Sequence, residues 1–320
     1  MTTPLAACFP GQGSQSVGML DGLAAAFPLV RDTFAEASQA LGRDLWTLVS
    51  DGPKETLDQT ENTQPAMLVA GVAAWRVWRA QGGPDATIMA GHSLGEYAAL
   101  VAADALSLAD GVRLAAARAR FMQAAVPAGQ GAMAAVLGLT DAQVIALCAG
   151  QAQGAVLEAV NFNGPGQVVI AGESAAVARA TTAAKAAGAK RALLLPVSVP
   201  SHCALMRPAA IDLAEALSAL DLRVPRVPVL HNVDVTAADS VAALTTRLCR
   251  QLYQPVRWVE TVQAMAAGGV RLAIEFGPGK VLTGLNKRID KTMITLPVCD
   301  PETLDQALAA ALETTAHAQR

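Results

Sequence analysis

The sequence predicts an α/β fold in which a large, hydrolase-like domain with a parallel sheet carries an inserted small ferredoxin-like (βαββαβ) domain. Two observations predict it. In the first half of the 320-residue chain, short apolar runs end in turn-rich segments and are followed by segments of helical periodicity, which is the repeated unit of an α/β fold. Between residues 128 and 199 the order of predicted elements changes to β-α-β-β-α-β, as in a ferredoxin-like unit.

The large domain is predicted from apolar runs, helical spacing and two start signals. A proline at position 65 stands where a helix can begin, and Ser107 with Asp110 resembles a capping box. The predicted elements are strands at Leu5–Phe9, Thr87–Ala90, Val229–Val233 and Leu272–Phe276, and helices at Pro65–Trp78, Glu96–Ala103, Ser107–Ala125 and from about Leu304.

The small domain is predicted from six elements, two of which are joined by the strong turn signal Asn163-Gly164-Pro165-Gly166. The elements are strands at Gly131–Leu139, Ala155–Phe162, Gln167–Ala171 and Arg191–Val199, and helices at Thr140–Ala149 and Ser174–Ala187. We therefore predict a small domain at 128–199, inserted between the two parts of a large catalytic domain at 1–127 and 200–320.

Composition and charge exclude several classes of protein. Hydrophobic residues make up 52% of the chain and charged residues 16%, so a sizeable core can form. No run reaches the roughly 18 apolar residues of a membrane span, and the first residues do not resemble a secretory signal. We therefore expect a cytoplasmic protein with no membrane partner. A net charge of −3 disfavours nucleic acid as a partner.

Cysteines and histidines indicate neither a disulfide framework nor a metal site. The five cysteines are scattered and contain no CxxC pair, so reduced thiols are expected in the cytoplasm. The four histidines have no ligand spacing with them. We expect no metal.

Residues 91–95 fit the pattern G-x-S-x-G between a predicted strand and a predicted helix. That context is the one a nucleophile elbow requires, with Ser93 exposed at the start of the helix. Flanking glycines permit a tight turn, and the helix N-terminus favours developing negative charge. A plain tight turn is the alternative interpretation.

A serine hydroxyl needs a base and the base needs an orienting group. His202, at the end of a predicted strand, is the better candidate, because the side chain of the adjacent His92 should diverge from Ser93 at the turn. A hydrogen-bonded structural histidine is the alternative for His202. Glu173 is one of few acids between serine and histidine, although a charge at a helix N-terminus is the favoured interpretation.

Several motifs together resemble the malonyl-CoA:acyl carrier protein transacylases of type II fatty acid synthesis. The resemblance runs from Phe9 to about Arg288, and its motifs occur in the family's order. The matching stretches are Phe9–Gln15, Gly91–Tyr97, Phe121–Gln123, Gly131–Met133, Asn161–Asn163, Ser198–His202 and Gly277–Lys280.

The resemblance implies roles for individual residues. Ser93 matches the family nucleophile and His202 its base, while the backbone N–H groups of Gln12 and Leu94 match the oxyanion hole. The alternative for the loop around Gln12 is a phosphate-binding turn, but the lysine of a P-loop is missing. In the family a backbone carbonyl orients the histidine, and here Gln251 matches that position.

Arg118 matches the family arginine that binds the malonyl carboxylate. A guanidinium fork gives two parallel, charge-assisted bonds to a carboxylate. Without the resemblance, Arg118 would be interpreted as a solvated arginine on a helix that also carries Arg113 and Arg120.

The activity implied is transfer of malonyl from malonyl-CoA to the phosphopantetheine thiol of holo acyl carrier protein, in two steps through a malonyl-serine. We expect no cofactor, since the coenzyme A thioester is the substrate, and a monomer. Basic residues should meet the acidic carrier protein or coenzyme A phosphates, and Lys190, Arg191 and Lys287 match such positions, although such residues are usually just solvated surface.

Three alternatives remain. A serine hydrolase shares the elbow, but the sequence lacks an HGGG-type loop and gives no reason for an arginine facing the acyl group. Transacylases of malonate decarboxylase or polyketide loading share the chemistry. A non-catalytic module that binds carrier protein would tolerate loss of Ser93. Cys203, next to the predicted base, is predicted to be a small buried residue rather than a nucleophile.

Overall fold

The computed structural model describes residues 4–197 and 199–318; Ser198, which belongs to a predicted strand and to one matching motif, lies outside them. The helices are α1 Asp21–Ala26, α2 Leu29–Leu41, α3 Leu45–Ser50, α4 Lys54–Leu57, α5 Thr60–Ala80, α6 Gly95–Ala102, α7 Leu108–Ala125, α8 Asp141–Ala152, α9 Ser174–Ala186, α10 Arg207–Ser218, α11 Val241–Tyr253, α12 Trp258–Ala267, α13 Val281–Ile289 and α14 Pro301–Ala318. The strands are β1 Leu5–Phe9, β2 Ile88–Gly91, β3 Gly131–Leu137, β4 Leu157–Gly164, β5 Gln167–Glu173, β6 Arg191–Leu194, β7 Val229–Leu230, β8 Leu272–Phe276 and β9 Ile294–Val298.

The larger sheet has five strands in the order β7-β2-β1-β8-β9, and every neighbouring pair is parallel. Its central strand β1 is buried at all positions, because helices cover both faces of the sheet and form an apolar cluster on each. Burial on both faces is typical of parallel sheets and explains why these strands are continuous apolar runs.

The smaller sheet has four antiparallel strands in the order β4-β5-β3-β6. It has an apolar cluster of its own, to which α8 and α9 contribute. The order of elements along the chain is the predicted β-α-β-β-α-β, so the predicted fold class is confirmed. The boundaries at 128 and 199 stay a prediction.

Helix α5 begins earlier than predicted. Pro65 is not at its start but inside it, five residues after Thr60. A proline there has no N–H for the carbonyl four residues back, and the Arg43 guanidinium supplies the missing donor, since its Nη2 lies 2.9 Å from the Glu61 carbonyl oxygen. A contact between distant segments therefore allows the proline in the helix.

Strand β6 ends at Leu194, so the prediction of a strand to Val199 was wrong. It is an edge strand of the small sheet, and Pro196 has no N–H with which to continue the ladder. The N–H of Val197 instead turns back to the carbonyl of Leu195 at 2.9 Å.

Other differences are smaller. The predicted strand at Val229–Val233 has only two residues, α14 begins at Pro301, and β9 was not predicted. No helix in the described part of the chain is long and apolar enough to cross a membrane.

Candidate active site

Ser93 lies at the tight turn between β2 and α6, with a left-handed φ of 51°. The turn is possible because its two glycines have no side chain. A Cβ on Gly91 would lie 1.9 Å from the carbonyl carbon of Gly95, and a Cβ on Gly95 would lie 2.0 Å from the carbonyl oxygen of Phe9. The elbow is thus pressed against β1, and it holds Ser93 above the carboxyl end of the sheet.

Asn232 braces the elbow from the side of the sheet, and the sequence analysis missed it. Its Oδ1 accepts the N–H of Ser93 at 2.7 Å, and its Nδ2 donates to the Gly91 carbonyl at 2.7 Å. Its own N–H donates to Glu96 at 2.9 Å. An asparagine just after a strand of a parallel sheet is the signal that could have found it, since functional groups collect at that edge.

His202 lies where the prediction put the base. Its Nε2 is 2.7 Å from Ser93 Oγ, and its Nδ1 is 2.7 Å from the carbonyl oxygen of Gln251. A carbonyl only accepts, so Nδ1 carries the proton and Nε2 is free to accept the serine hydroxyl. Burial first, then the nearby Arg118 guanidinium, lowers the pKa of His202 to about 3. The imidazole is therefore neutral near pH 7.

The two alternative partners considered from the sequence lie elsewhere. His92 points away from Ser93, and its Nε2 is 2.7 Å from Oδ1 of Asn163 in β4. Burial lowers the pKa of His92 as well. Glu173 precedes α9, where its carboxylate accepts the N–H of Val156 at 3.0 Å. Neither takes part in orienting His202.

Arg118 projects from α7 into the pocket and is not the solvated residue of the alternative interpretation, being only 1% exposed. Its Nη1 donates to Gln64 Oε1 at 2.7 Å and its Nη2 to Gln251 Oε1 at 3.0 Å. Nη2 is also 3.4 Å from Ser93 Oγ. Burial lowers the pKa of Arg118, and within residues 4–197 and 199–318 no carboxylate pairs with it.

Gln64 was also missed by the sequence analysis. It is 2% exposed and lies one turn inside α5, in the polar segment Asn62-Thr63-Gln64 before a proline. A buried glutamine that accepts from an arginine needs partners for its own N–H groups. An uninterrupted polar segment at the start of an otherwise apolar helix is the signal that marked it.

Gln12 and Leu94 line the pocket from two loops. The first loop touches the elbow closely, since a Cβ on Gly11 would lie 2.5 Å from the carbonyl oxygen of His92. Leu94 precedes the first residue of α6, where helix amides lack intrahelical acceptors. Neither amide donates to an acceptor in the described segments, so both are available to a negatively charged oxygen near Ser93.

The pocket is a cleft of about 210 Å³ between the two sheets. The large sheet's loops and helices supply the polar groups around Ser93. The opposite wall comes from the small sheet and α13, with Met133, Asn161, Asn163, Gln167, Val169, Val281, Leu282 and Leu285. The cleft therefore has one polar side around Ser93 and a second side, from the small sheet and α13, that can contact the rest of a long substrate.

The three basic residues matched to carrier-protein contacts are all exposed: Lys190 and Arg191 at the start of β6, and Lys287 on α13. The residue after Lys287 adds a link to the pocket, since Arg288 Nη2 donates to Oε1 of the lining residue Gln167 at 2.7 Å. The positive charge near α13 thus borders the cleft.

The thiol next to His202 is buried and points away. Cys203 Sγ donates to the Pro200 carbonyl at 3.1 Å, and burial raises its pKa to about 12. A protonated, buried thiol is no nucleophile. Within the described residues no group of three or more His, Cys, Asp or Glu side chains lies close enough to hold a metal ion.

The cleft brings together a serine hydroxyl, a neutral imidazole, two backbone amides and a buried guanidinium. A serine hydroxyl hydrogen-bonded to a neutral imidazole can attack a carbonyl, and the amides can stabilise the oxyanion that forms. The geometry is therefore suited to the transfer of an acyl group that carries a negative charge.

Comparisons with known proteins agree with this chemistry. Residues 8–314 match the model of the acyl transferase domain family. The malonyl CoA-acyl carrier protein transacylase of Escherichia coli (strain K12) is 57% identical over 311 residues, which are 97% of this chain and 99% of that protein. The structure of the corresponding transacylase from Coxiella burnetii superposes with a TM-score of 0.95 at 48% identity, covering 97% of this chain and 98% of that one.

A third relative was solved with its partner. The malonyl-transacylase in complex with the holo form of AntF, a type II polyketide acyl carrier protein, has a TM-score of 0.95 and 54% identity, covering 96% of this chain and 100% of its own. The chain therefore belongs to the malonyl CoA-acyl carrier protein transacylases, within the acyl transferase domain family.

Proposed function

We propose that the chain transfers malonyl from malonyl-CoA to the phosphopantetheine thiol of holo acyl carrier protein through an ester on Ser93, and so supplies fatty acid chain elongation. The observation that carries this proposal is the buried guanidinium of Arg118, 3.4 Å from Ser93 Oγ and held by neutral side chains alone. A buried cation without an anion is costly, and the malonyl carboxylate supplies the missing charge.

In the first step Ser93 is acylated. Its hydroxyl proton passes to Nε2 of His202 while Oγ bonds to the thioester carbon, and the N–H groups of Gln12 and Leu94 stabilise the oxyanion. The tetrahedral intermediate then loses its C–S bond. Coenzyme A leaves as a thiol, taking the proton from His202, and malonyl-serine remains.

In the second step the phosphopantetheine thiol takes the place of coenzyme A. His202 accepts the thiol proton, sulfur bonds to the ester carbon, and the same amides hold the oxyanion. The C–O bond to Ser93 breaks, and Oγ takes back the proton from the imidazole. No metal ion or redox cofactor enters either step.

His202 is oriented by the uncharged backbone carbonyl of Gln251, which suits a negatively charged substrate. An aspartate in place of the Gln251 carbonyl would put a negative charge close to the cleft and repel the malonyl carboxylate. The carbonyl fixes the same tautomer without that repulsion. Among the described residues that line the cleft, Arg118 is then the one with a charged side chain, and it selects acyl groups that end in a carboxylate.

Carrier protein is proposed to dock beside the cleft on the exposed residues Lys190, Arg191 and Lys287. Reversing these charges to glutamate should raise KM for carrier protein and weaken its salt dependence, while leaving acylation by malonyl-CoA unchanged, because surface charges act mainly on association. Equal kinetics with and without the changes would contradict this surface. We further propose a monomeric, cytoplasmic enzyme, a state that size-exclusion chromatography with light scattering tests.

The central experiment is to incubate the protein with malonyl-CoA alone, digest it and locate the added mass. Malonyl on the Ser93 peptide that holo carrier protein removes rapidly, and water slowly, is the expected result, with Ser93→Ala as the unlabelled control. Free malonate accumulating without carrier protein would instead indicate a hydrolase. An unlabelled Ser93 in an active protein would contradict the proposed intermediate.

The relative solved with a polyketide carrier protein makes the identity of the carrier a separate question. We propose a fatty acid carrier protein as the physiological acceptor. Comparing kcat/KM for the two kinds of holo carrier protein from one organism decides between them, and a higher value for the polyketide carrier would overturn the choice.

A further inference from the structure

A chain of hydrogen bonds connects Arg118 to the loop that carries the free amide of Gln12. Arg118 Nη1 donates to Gln64 Oε1 at 2.7 Å, and Gln64 Nε2 donates to Thr60 Oγ1 at 3.1 Å. Thr60 Oγ1 in turn donates to Gln12 Oε1 at 3.1 Å. Three bonds thus join the two ends of the cleft through one hydroxyl group.

The direction of the chain is fixed by its first member. A guanidinium only donates, so Gln64 must present its oxygen to Arg118 and its NH₂ group to Thr60. The Thr60 hydroxyl accepts that N–H and gives its own proton to Gln12. All three bonds point the same way, starting from a cation, so each polarises the next.

The middle of the chain is closed to solvent. Thr60 is 7% exposed and Gln64 is 2% exposed, so water cannot easily replace a lost partner. Besides Thr60, the Gln64 amide nitrogen has only the sulfur of Met122, at 3.7 Å, which is a weak acceptor. Without the hydroxyl, the Gln64 side chain loses its second strong bond, and only the bond from Arg118 at 2.7 Å holds its position.

We infer that Thr60 is a positioning residue that sets specificity for acyl groups ending in a carboxylate. Its hydroxyl fixes the orientation of the Gln64 and Gln12 side chains. The inference rests on the proposed function, in which Arg118 binds that carboxylate and Gln12 serves the oxyanion hole. The Thr60 hydroxyl bonds Gln64 and Gln12 and neither Ser93 nor His202. Its effect reaches them through the Gln64 amide on one side and the Gln12 side chain on the other.

The two sides have different signatures. Loosening Gln64 disturbs Arg118 and affects only substrates that carry a carboxylate. Loosening Gln12 disturbs the oxyanion hole and affects every acyl group alike. A substrate pair that differs only in the carboxylate therefore separates them, and malonyl-CoA with acetyl-CoA is such a pair.

The experiment measures single-turnover acylation of Ser93 by malonyl-CoA and by acetyl-CoA in Thr60→Val and Thr60→Ser. Valine has nearly the shape of threonine without the hydroxyl, whereas serine keeps the hydroxyl. The matched control is Thr261→Val in α12, because Thr261 is also buried but its hydroxyl bonds the carbonyl of Arg257, the residue that precedes its own helix, at 2.9 Å.

Thr60→Val removes the bonds to both Gln64 and Gln12. We expect it to slow malonyl transfer roughly tenfold and acetyl transfer, which depends only on the Gln12 side, by less than about threefold. Thr60→Ser and Thr261→Val should keep the wild-type ratio of the two rates. In an Arg118→Ala background, Thr60→Val should affect both substrates equally, since the coupled group is gone.

An unchanged ratio in a folded Thr60→Val protein whose wild type malonylates Ser93 would overturn the inference and leave the proposed function intact. Absence of malonyl-Ser93 in the wild type would instead overturn the proposed function. If Thr60→Val does not fold, Thr60→Ala against Thr60→Ser makes the same comparison, because both lack the methyl group and only serine keeps the hydroxyl.

Discussion

Two buried charges lie close to the Ser93 elbow, and their partners differ. The carboxylate of Glu96 has a partner for each oxygen: Nδ1 of His231 at 2.7 Å and the N–H of Asn232 at 2.9 Å. Among the described residues, the guanidinium of Arg118 donates to the neutral Gln64 and Gln251, lies near the hydroxyl of Ser93 and is 5.3 Å from the ring centre of Tyr97.

The difference separates structural from functional charge. The partnered carboxylate fixes Asn232, which in turn holds the N–H of Ser93 at 2.7 Å. The guanidinium of Arg118 has no carboxylate partner among the described residues, so it can still form an ion pair with a bound anion. A buried charge without a counter-charge destabilises the fold, and in the proposed function the malonyl carboxylate is that counter-charge.

Replacing the unpaired charge should break this contrast most strongly. Arg118→Met should slow malonylation of Ser93 by about a hundredfold to a thousandfold, because a desolvated charge pair with the substrate is lost. The free energy of unfolding should not fall, since a buried unpaired cation is replaced by an apolar side chain of similar length. Single-turnover acylation and urea denaturation measure the two effects. A large loss of stability would mean that Arg118 is structural.

Replacing the partnered charge should have the opposite pattern. Glu96→Ala should lower the free energy of unfolding by about 3–5 kcal/mol, because it strands buried partners. The control is Glu36→Ala, whose exposed pair with Arg76 contributes no more than about 1 kcal/mol. Denaturation midpoints of the two variants give the comparison, and equal losses would remove the distinction between the two sites.

The pH dependence should reflect the uncharged base. The pKa of His202 is lowered to about 3, so the imidazole stays neutral well below the ordinary histidine pKa of about 6.5. Malonylation should change less than about twofold between pH 8 and pH 5.5 and be lost only as pH falls toward the folded pKa. An acid limb centred near pH 6.5 would contradict a buried, neutral base.

Stability should follow the same linkage. The unfolded chain protonates His202 below about pH 6.5 while the folded protein does not, so stability is fully present above that pH and declines as pH falls from 6.5 toward 3. Substituting His202 with alanine should flatten this decline. A slope identical to the wild type in that interval would assign the effect to other groups.

An exposed cation should matter least. Arg43→Ala removes the donor to the Glu61 carbonyl, 2.9 Å away, that Pro65 leaves without a partner. The substitution also removes the bond from Arg43 to Asn62 Oδ1. We expect a loss of about 1–2 kcal/mol in stability, the usual value of two partly exposed hydrogen bonds, and unchanged acylation rates. Arg43→Lys is a partial control, because lysine keeps the positive charge but lacks the planar guanidinium that can donate to two acceptors at once.

Local patterns predicted the parts of the site that are local. The elbow around Ser93 was readable because strand, glycines and helix are adjacent in sequence. The roles of Gln251 and Arg118 came only from resemblance, since α11 and α7 meet the elbow from far along the chain. Glu173 was a candidate by chain order, and its placement at α9 follows from the fold of the small sheet.

Residues that act through others left only indirect signals in the sequence. Asn232 and Gln64 are identified by their partners, which tertiary packing alone brings together. The same holds for Pro65, which local rules assign to a helix start and which Arg43 allows inside one. Strand β9, at the edge of the large sheet, has a proline at position 297 and an exposed first residue, so its sequence is a weak strand signal.

The separation of 3.4 Å between Arg118 Nη2 and Ser93 Oγ also defines a pattern for inhibitor chemistry. A boronic acid that bonds to Ser93 and carries a carboxylate one methylene away would use both groups at once. Its ester or amide analogue would lose the guanidinium, whereas an ordinary serine hydrolase would prefer the uncharged compound. The one unsatisfied charge of the cleft is thus a basis for selective inhibition among serine enzymes.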